Sequence, residues 1–324
     1  MSTIDTIAVG TVPTAPNGTQ IPTRKKRMYA KRDVIFYWAL LALPLLQICV
    51  FYIAVNFQSI CLAFQTYSTT KNQFSWDVTD NWTLFVQDIT TKGFWIMIGN
   101  SLTVWLLASL CGTTLAVLFA YYIYKKYPMN NFFRFVLFLP SILPAVMLVI
   151  MFKRFLGNGI PAMMENWWGA EEVENIFYNP GRTRFWVITL FSIWIGFGSQ
   201  VLVYTGAMDQ IPTEQLEAAQ IDGASALVEF IAIILPSIFA TIGTFLTMGV
   251  ASLFTNQNNL FAFTGDRGKT FVEERTMGYY LYCLVYENNS MDRYCYAAFL
   301  GLACTLIVVP LALGIRKAVE RGQE

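Results

Sequence analysis

Six uncharged apolar runs, each close to the roughly 20 residues that a helix needs to cross hydrocarbon, leave this chain few folds to choose from. They cover residues 34–57, 94–122, 135–152, 185–204, 230–254 and 294–315, and none contains Asp, Glu, Lys or Arg. The third is the shortest and is interrupted by Pro140 and Pro144. Because a backbone in lipid must satisfy its own polar groups, runs of this length fold as helices. Composition agrees: 55% of residues are apolar and 13% charged, against about 25% charged in soluble domains. The expected fold class is therefore all-α integral membrane, with six transmembrane helices.

The ends of the chain orient it. Residues 1–23 are rich in Ser, Thr, Pro and Gly and carry only Asp5 as a charge, so they lack the apolar surface needed to fold. The expected organisation is a disordered tail over 1–33, a transmembrane domain over 34–315 and a short tail over 316–324. The first run is too long for a signal-peptide core and reads as a retained span. Basic clusters at Arg24-Lys25-Lys26-Arg27, at Lys31-Arg32 and at Arg316, Lys317 and Arg321 place both termini in the cytoplasm by the positive-inside tendency. The loop with Lys125, Lys126 and Arg134 falls on the same side, and 58–93, 153–184 and 255–293 fall outside. One inner loop disobeys: residues 206–229 hold Asp209, Glu214, Glu217, Asp222 and Glu229 with no Lys or Arg. Either the topology is miscounted there, or the loop's charge answers a basic protein partner.

Several chemistries are excluded. The chain has no His, which removes imidazole acid–base work and the commonest metal ligand. Its six Cys form no C-x-x-C pair and lie mostly in or beside the apolar runs, where Cys packs as a small hydrophobe; pairing of Cys283 with Cys295 stays open. Gly268-Lys269-Thr270 ends like a phosphate loop, but the Gly required five positions earlier is Phe263. No metal, cofactor, catalytic residue or nucleic-acid partner is expected. Runs free of ionisable residues also offer no relay for ion-coupled transport.

The 206–229 loop carries the most specific pattern. Pro212 and Thr213 suit a helix start, Glu214 and Glu217 sit early, where the helix dipole favours negative charge, and Gly223 can end the helix in a left-handed conformation. Ser225 can then cap a second helix running into the fifth span. Ala218, Ala219, Ala224 and Ala226 keep the surface small enough to enter a cleft.

Ile211-Pro212, Glu217-Ala218-Ala219, Asp222-Gly223-Ala224, Phe230, Ile233 and Leu235-Pro236 resemble the EAA loop of ABC-importer permeases. Pro44, Tyr52, 63–67, Asn100-Ser101-Leu102, Phe133-Arg134, Phe138-Leu139-Pro140, 194–197 and Tyr296-Ala297-Ala298 are similar to the first permease of carbohydrate importers. The stretch Thr264-Gly265-Asp266-Arg267-Gly268 departs from that family's Thr-Gly-Gly-Pro. The resemblance implies the type I importer fold with a cytoplasmic coupling helix, in a bacterial cytoplasmic membrane. It implies a non-catalytic subunit beside a second related permease, two ATPase subunits that bind ATP and Mg, an extracytoplasmic binding protein, and a sugar or oligosaccharide substrate. Glu217, Ala218, Ala219, Asp222, Gly223 and Ala224 would then grip the ATPase. The family's sugar-contacting helices align with Ser192, Ile195, Gly196 and Ser199, which share a helix face, and with Ser252, Leu253 and Asn256; an alignment with a gap selects Asn256 and Asn259. Another small polar solute, or a secondary carrier, are the competing readings.

Overall fold

The computed structural model describes residues 31–68, 72–169, 181–264, 271–286 and 291–322. The tail expected over 1–30 and the Gly268-Lys269-Thr270 tripeptide lie outside the described residues. The chain divides into two units, Met1–Phe57 and Gln58–Glu324.

The first unit is helical from Lys31, three residues inside the stretch assigned to the tail, and includes a π-helical segment at Ile48–Ala54. All its side chains from Val34 to Phe57 are exposed. A helix that is apolar all round and buries nothing within its unit suits hydrocarbon or another chain rather than water. It belongs to the first candidate span, α1 (Val34–Ala63).

In the second unit, residues 58–63 are still helical and lead into a hairpin that the all-α expectation missed, β1 (Gln65–Ser68) antiparallel to β2 (Gln73–Trp76). Helix α2 (Thr79–Thr90) follows. Its buried Asn81 donates from Nδ2 to the Ala63 and Gln65 carbonyls at 3.1 and 3.0 Å. Next come α3 (Lys92–Tyr124), α4 (Asn130–Ile142), α5 (Ala145–Trp167) and α6 (Arg182–Met208). Beyond these lie α7 (Thr213–Ile221), the bent pair α8 (Ala226–Ser237) and α9 (Phe239–Ala251), α10 (Leu260–Thr264), α11 (Met277–Tyr286) and α12 (Met291–Arg321). Among the described residues five helices are long and apolar enough to cross a membrane, and the pair α8–α9, bent by 60°, passes the same test when its two helices are taken together. Pro236 lies beside that bend; it cannot donate to the helix ladder and crowds the preceding turn.

Several sequence boundaries move, and three of the shifts bring charged residues into helices. The third run was placed at 135–152, but α4 stops at Ile142, Leu143 is extended at φ −81° and ψ 145°, and a new helix begins at Ala145. A residue before proline is pushed out of the helical region, so the span-length helix is α5, which carries Lys153 and Arg154. The fourth helix begins at Arg182, not at Phe185, and so includes Arg184. Helix α12 continues six residues past the expected end at Ile315, with Arg316 Nε 2.8 Å from Glu320 Oε1 one turn on. The chain's ionisable residues are thus not confined to the loops.

Three apolar clusters hold the second unit. One joins the C-terminal half of α3 and α6 to Ile211, Leu216, Ile234 and Ile238. A second joins α5, α6, α10 and α11. A third joins the start of α3 to α9, α11 and α12. No disulfide links Cys283 to Cys295; the two are buried, Cys283 within the second cluster.

Candidate functional site

The 206–229 loop folds as two short helices meeting at a left-handed glycine. Gly223 has φ +78°, its N–H donates to the Gln220 carbonyl at 3.1 Å, and the Ala224 N–H donates to the Ala219 carbonyl at 2.9 Å. This paired bonding is the Schellman ending that satisfies the last carbonyls of α7. The second helix is capped as expected, Ser225 Oγ accepting from the Val228 N–H at 3.4 Å. The start of α7 differs from expectation: Pro212 occupies the capping position, and Thr213, the first helical residue, makes no cap. Pro212 suits that place because its extended backbone, ψ 127°, turns the chain into the helix.

Helix α7 divides its side chains cleanly. Leu216 and, just before the helix, Ile211 are buried in the cluster with α3 and α6. Glu214, Glu217, Ala218, Asp222 and Gly223 are exposed, Ala219 and Ala224 half-buried. Ile221 is 86% and Leu227 67% exposed, so apolar surface flanks the acidic groups. Glu217 and Asp222 form no ion pair among the described residues. Glu229, counted with the loop's acids, is instead neutralised internally by Lys125 at 2.5 Å. Tyr121, on the last turn of α3, donates to the Ala226 carbonyl at 3.0 Å and sets its ring 4.8 Å from that of Phe230.

A second feature is an uncharged polar cleft between α3, α6 and α9. Ser252, Leu253 and Asn256 line it, as do Trp105, Gln200 and Thr276. Asn256 Oδ1 accepts from the Asn258 N–H at 2.8 Å, its carbonyl accepts from Thr276 Oγ1 at 2.9 Å, and Ser252 Oγ donates to the Gly249 carbonyl at 3.0 Å. The residues aligned on span four go elsewhere. Ser192 Oγ accepts from Asn259 Nδ2 at 2.9 Å and donates to the Asn258 carbonyl at 3.4 Å. Ile195 packs on the second apolar cluster, Gly196 is exposed, and Ser199 bonds back to the Gly196 carbonyl at 3.0 Å. Asn258 and Asn259 both adopt positive φ, 53° and 56°, a region that Asn tolerates better than most residues. The predicted residues therefore split into a cleft group and a hydrogen-bonded group of Ser192 with Asn259.

Sequence reasoning missed Trp105, Gln200 and a buried network behind the cleft. Arg184 Nε lies 2.9 Å from both carboxylate oxygens of Glu274, and Arg184 Nη2 also bonds that carboxylate. Gly181 donates its N–H to the same group. Asn100 Nδ2 donates to the Glu273 and Arg275 carbonyls, both at 2.9 Å, while its Oδ1 accepts from Arg182 at 3.0 Å. Ser101 Oγ accepts from the Met277 N–H at 2.8 Å. Together these bonds fix the segment that carries Thr276 into the cleft.

Membrane-spanning helices with an exposed acidic helical turn and an uncharged polar cleft define a transport subunit. Residues 112–322 match the binding-protein-dependent transport system inner membrane component, and the chain belongs to that family. It is a permease, the non-catalytic membrane component of an ABC transporter, and it is multi-pass. The multiple sugar-binding transport system permease protein MsmF of Streptococcus mutans is 24% identical over 84% of this chain and 90% of its own length. The galactooligosaccharides transport system permease protein GanP of Bacillus subtilis is 25% identical over 71% of this chain and 56% of its own. A chain of the bacterial alginate ABC transporter, solved with an alginate pentasaccharide-bound periplasmic protein, superposes with a TM-score of 0.73 at 21% identity, over 91% of this chain and 96% of that one. The fold is that of the ABC-importer permeases.

Proposed function

We propose that this chain forms half of the pathway for a sugar or oligosaccharide handed over by an extracytoplasmic binding protein. The other half is a second, related permease, and two cytoplasmic ATPase subunits, which bind ATP and Mg, drive the cycle. Both termini are cytoplasmic in this reading, and α7 is the coupling helix. The observation that carries it is the cleft, whose Ser252, Asn256, Gln200 and Thr276 side chains are hydrogen-bonding and uncharged. A neutral, hydroxyl-rich solute needs such groups and no counter-charge. The relatives named for sugars support the same class.

The anchoring of α7 supports its role. Motion imposed on the exposed acidic face reaches α3 and α6 directly, because Ile211 and Leu216 are packed into their cluster. ATP-driven approach of the ATPases would shift α7, open the cleft outward to the docked binding protein, and close it again on hydrolysis.

The test is uptake and substrate-stimulated ATP hydrolysis by the reconstituted complex across a panel of galacto-, arabino- and malto-oligosaccharides. Asn256→Ala and Ser192→Leu, normally assembled, should each lower both activities. Wild-type behaviour in both variants would remove these residues from the pathway. Uptake restricted to charged solutes would favour the other small-solute reading.

A further inference from the structure

Two polar atoms lining or bordering the cleft are buried and have no hydrogen-bond partner among the described residues: Nε1 of the Trp105 indole and Oε1 of the Gln200 amide. Both residues lie within span-length helices, α3 and α6, where an unmade hydrogen bond is costly. Their neighbours differ. Ser252 and Thr276 donate to backbone carbonyls, and Asn256 accepts from a backbone N–H, so those groups already hold bonds within the protein.

The placement of the indole is specific. Trp105 shares one face of α3 with Ser101 and Ser109, four residues away on either side, and all three line the cleft. Across from it, Gly249 on α9 has no side chain; a Cβ there would stand 3.1 Å from the indole Nε1 and 3.3 Å from its ring carbon. The glycine leaves room for the N–H. An indole nitrogen can only donate, whereas the amide oxygen of Gln can only accept. A saccharide hydroxyl does both, and neither protein group carries a charge that would select an ion.

We propose that Trp105 and Gln200 are specificity-determining residues whose unpaired N–H and C=O read hydroxyl groups of a neutral saccharide in the cleft. This rests on the carbohydrate-pathway reading above. The experiment compares wild type with Trp105→Phe, which keeps an aromatic ring and removes the donor, and with Gln200→Met, which keeps length and removes the amide. Each is assembled with its partner subunits in proteoliposomes and assayed with loaded binding protein in excess, using the oligosaccharide panel.

Each variant should lower transport of the preferred saccharide about 5-fold to 10-fold, the worth of one lost hydrogen bond. Preference among panel members should narrow, with the KM for loaded binding protein unchanged and the loss confined to saccharides that present the hydroxyl being read. A merely structural role would instead depress every substrate by the same factor and lower the thermal stability of the complex, which would overturn the proposal. So would wild-type rates and preferences in both variants. Should Trp105→Phe fail to assemble, Gln200→Met carries the comparison alone. A wild-type complex that moves no member of the panel would defeat the carbohydrate reading itself, and this inference with it.

Discussion

Lys125, just past the end of α3, places its ammonium 2.5 Å from the carboxylate of Glu229, on the second helix of the 206–229 loop. The glutamate side chain is 5% exposed and the lysine 20%, so the pair is largely withdrawn from water. It joins two inter-span loops, with the Tyr121 bond to the Ala226 carbonyl beside it. Removing one member of a buried pair strands the other, typically at a cost of about 3 kcal/mol or more. Lys125→Ala should therefore loosen the loop more than Lys125→Ala with Glu229→Leu, which leaves no orphan charge. Hydrogen exchange at the amides of 213–229 in the purified complex checks this; equal protection in wild type and Lys125→Ala would contradict it.

Gly223 turns the chain at φ +78° with nothing within 4 Å of where a Cβ would sit. Space is therefore not the constraint; backbone conformation is. A left-handed non-glycine residue costs about 1–2 kcal/mol, Asn least and a β-branched residue most. The expected order of ATPase co-purification is Gly223, then Asn, then Ala, then Val. Because the position is outside the bilayer spans, membrane insertion should be unchanged in all four. Equal recovery of the ATPase with Val would refute the expectation.

This loop was readable from sequence because its conformation is set locally: a C′ glycine and a capping serine act on neighbouring residues. The failures have a common physical cause in distance. Arg184 fell outside a run delimited at its first apolar residue, and its partner Glu274 lies 90 positions away, a pairing that one sequence does not reveal. Pro144 was visible within the third run, but its power to end α4 and re-start a helix at Ala145 was not used. Trp105 and Gln200 carry no motif, and only packing brings them to the same cleft. Ser192 and Asn259 were each named from the resemblance, but the bond between them depends on a left-handed Asn258-Asn259 turn that spacing along the chain does not reveal.

Glu217 is exposed on α7, and among the described residues Glu229 alone of the loop's acids forms an ion pair. If α7 enters a basic cleft of the ATPase, Glu217→Lys replaces attraction with repulsion and should weaken assembly by about 1 kcal/mol or more, near fivefold in affinity. The loss should shrink as salt is raised, since screening weakens an exposed charge contact. Glu217→Gln should fall between the two. Titrating purified ATPase onto permease in nanodiscs at low and high salt measures it. An affinity for Glu217→Lys equal to wild type at low salt would count against an electrostatic docking role.

Gly278, in the first turn of α11, lies against the strand of chain that shapes the cleft. A Cβ at this position would stand 2.5 Å from the Thr255 carbonyl carbon and 2.6 Å from the Asn256 oxygen, both backbone atoms that cannot swing aside. Gly278→Ala must therefore separate α11 from the 252–256 turn, and Thr276 Oγ1, now 2.9 Å from the Asn256 carbonyl, should lose its bond. Overpacking of this kind costs about 1–3 kcal/mol, and here the displaced atoms belong to the cleft. The expected result is a modest fall in thermal stability with a larger fall in saccharide transport, while co-purification of the ATPase proposed to dock on α7 is retained. Wild-type transport with only the stability loss would mean that the position of Asn256 does not matter to passage.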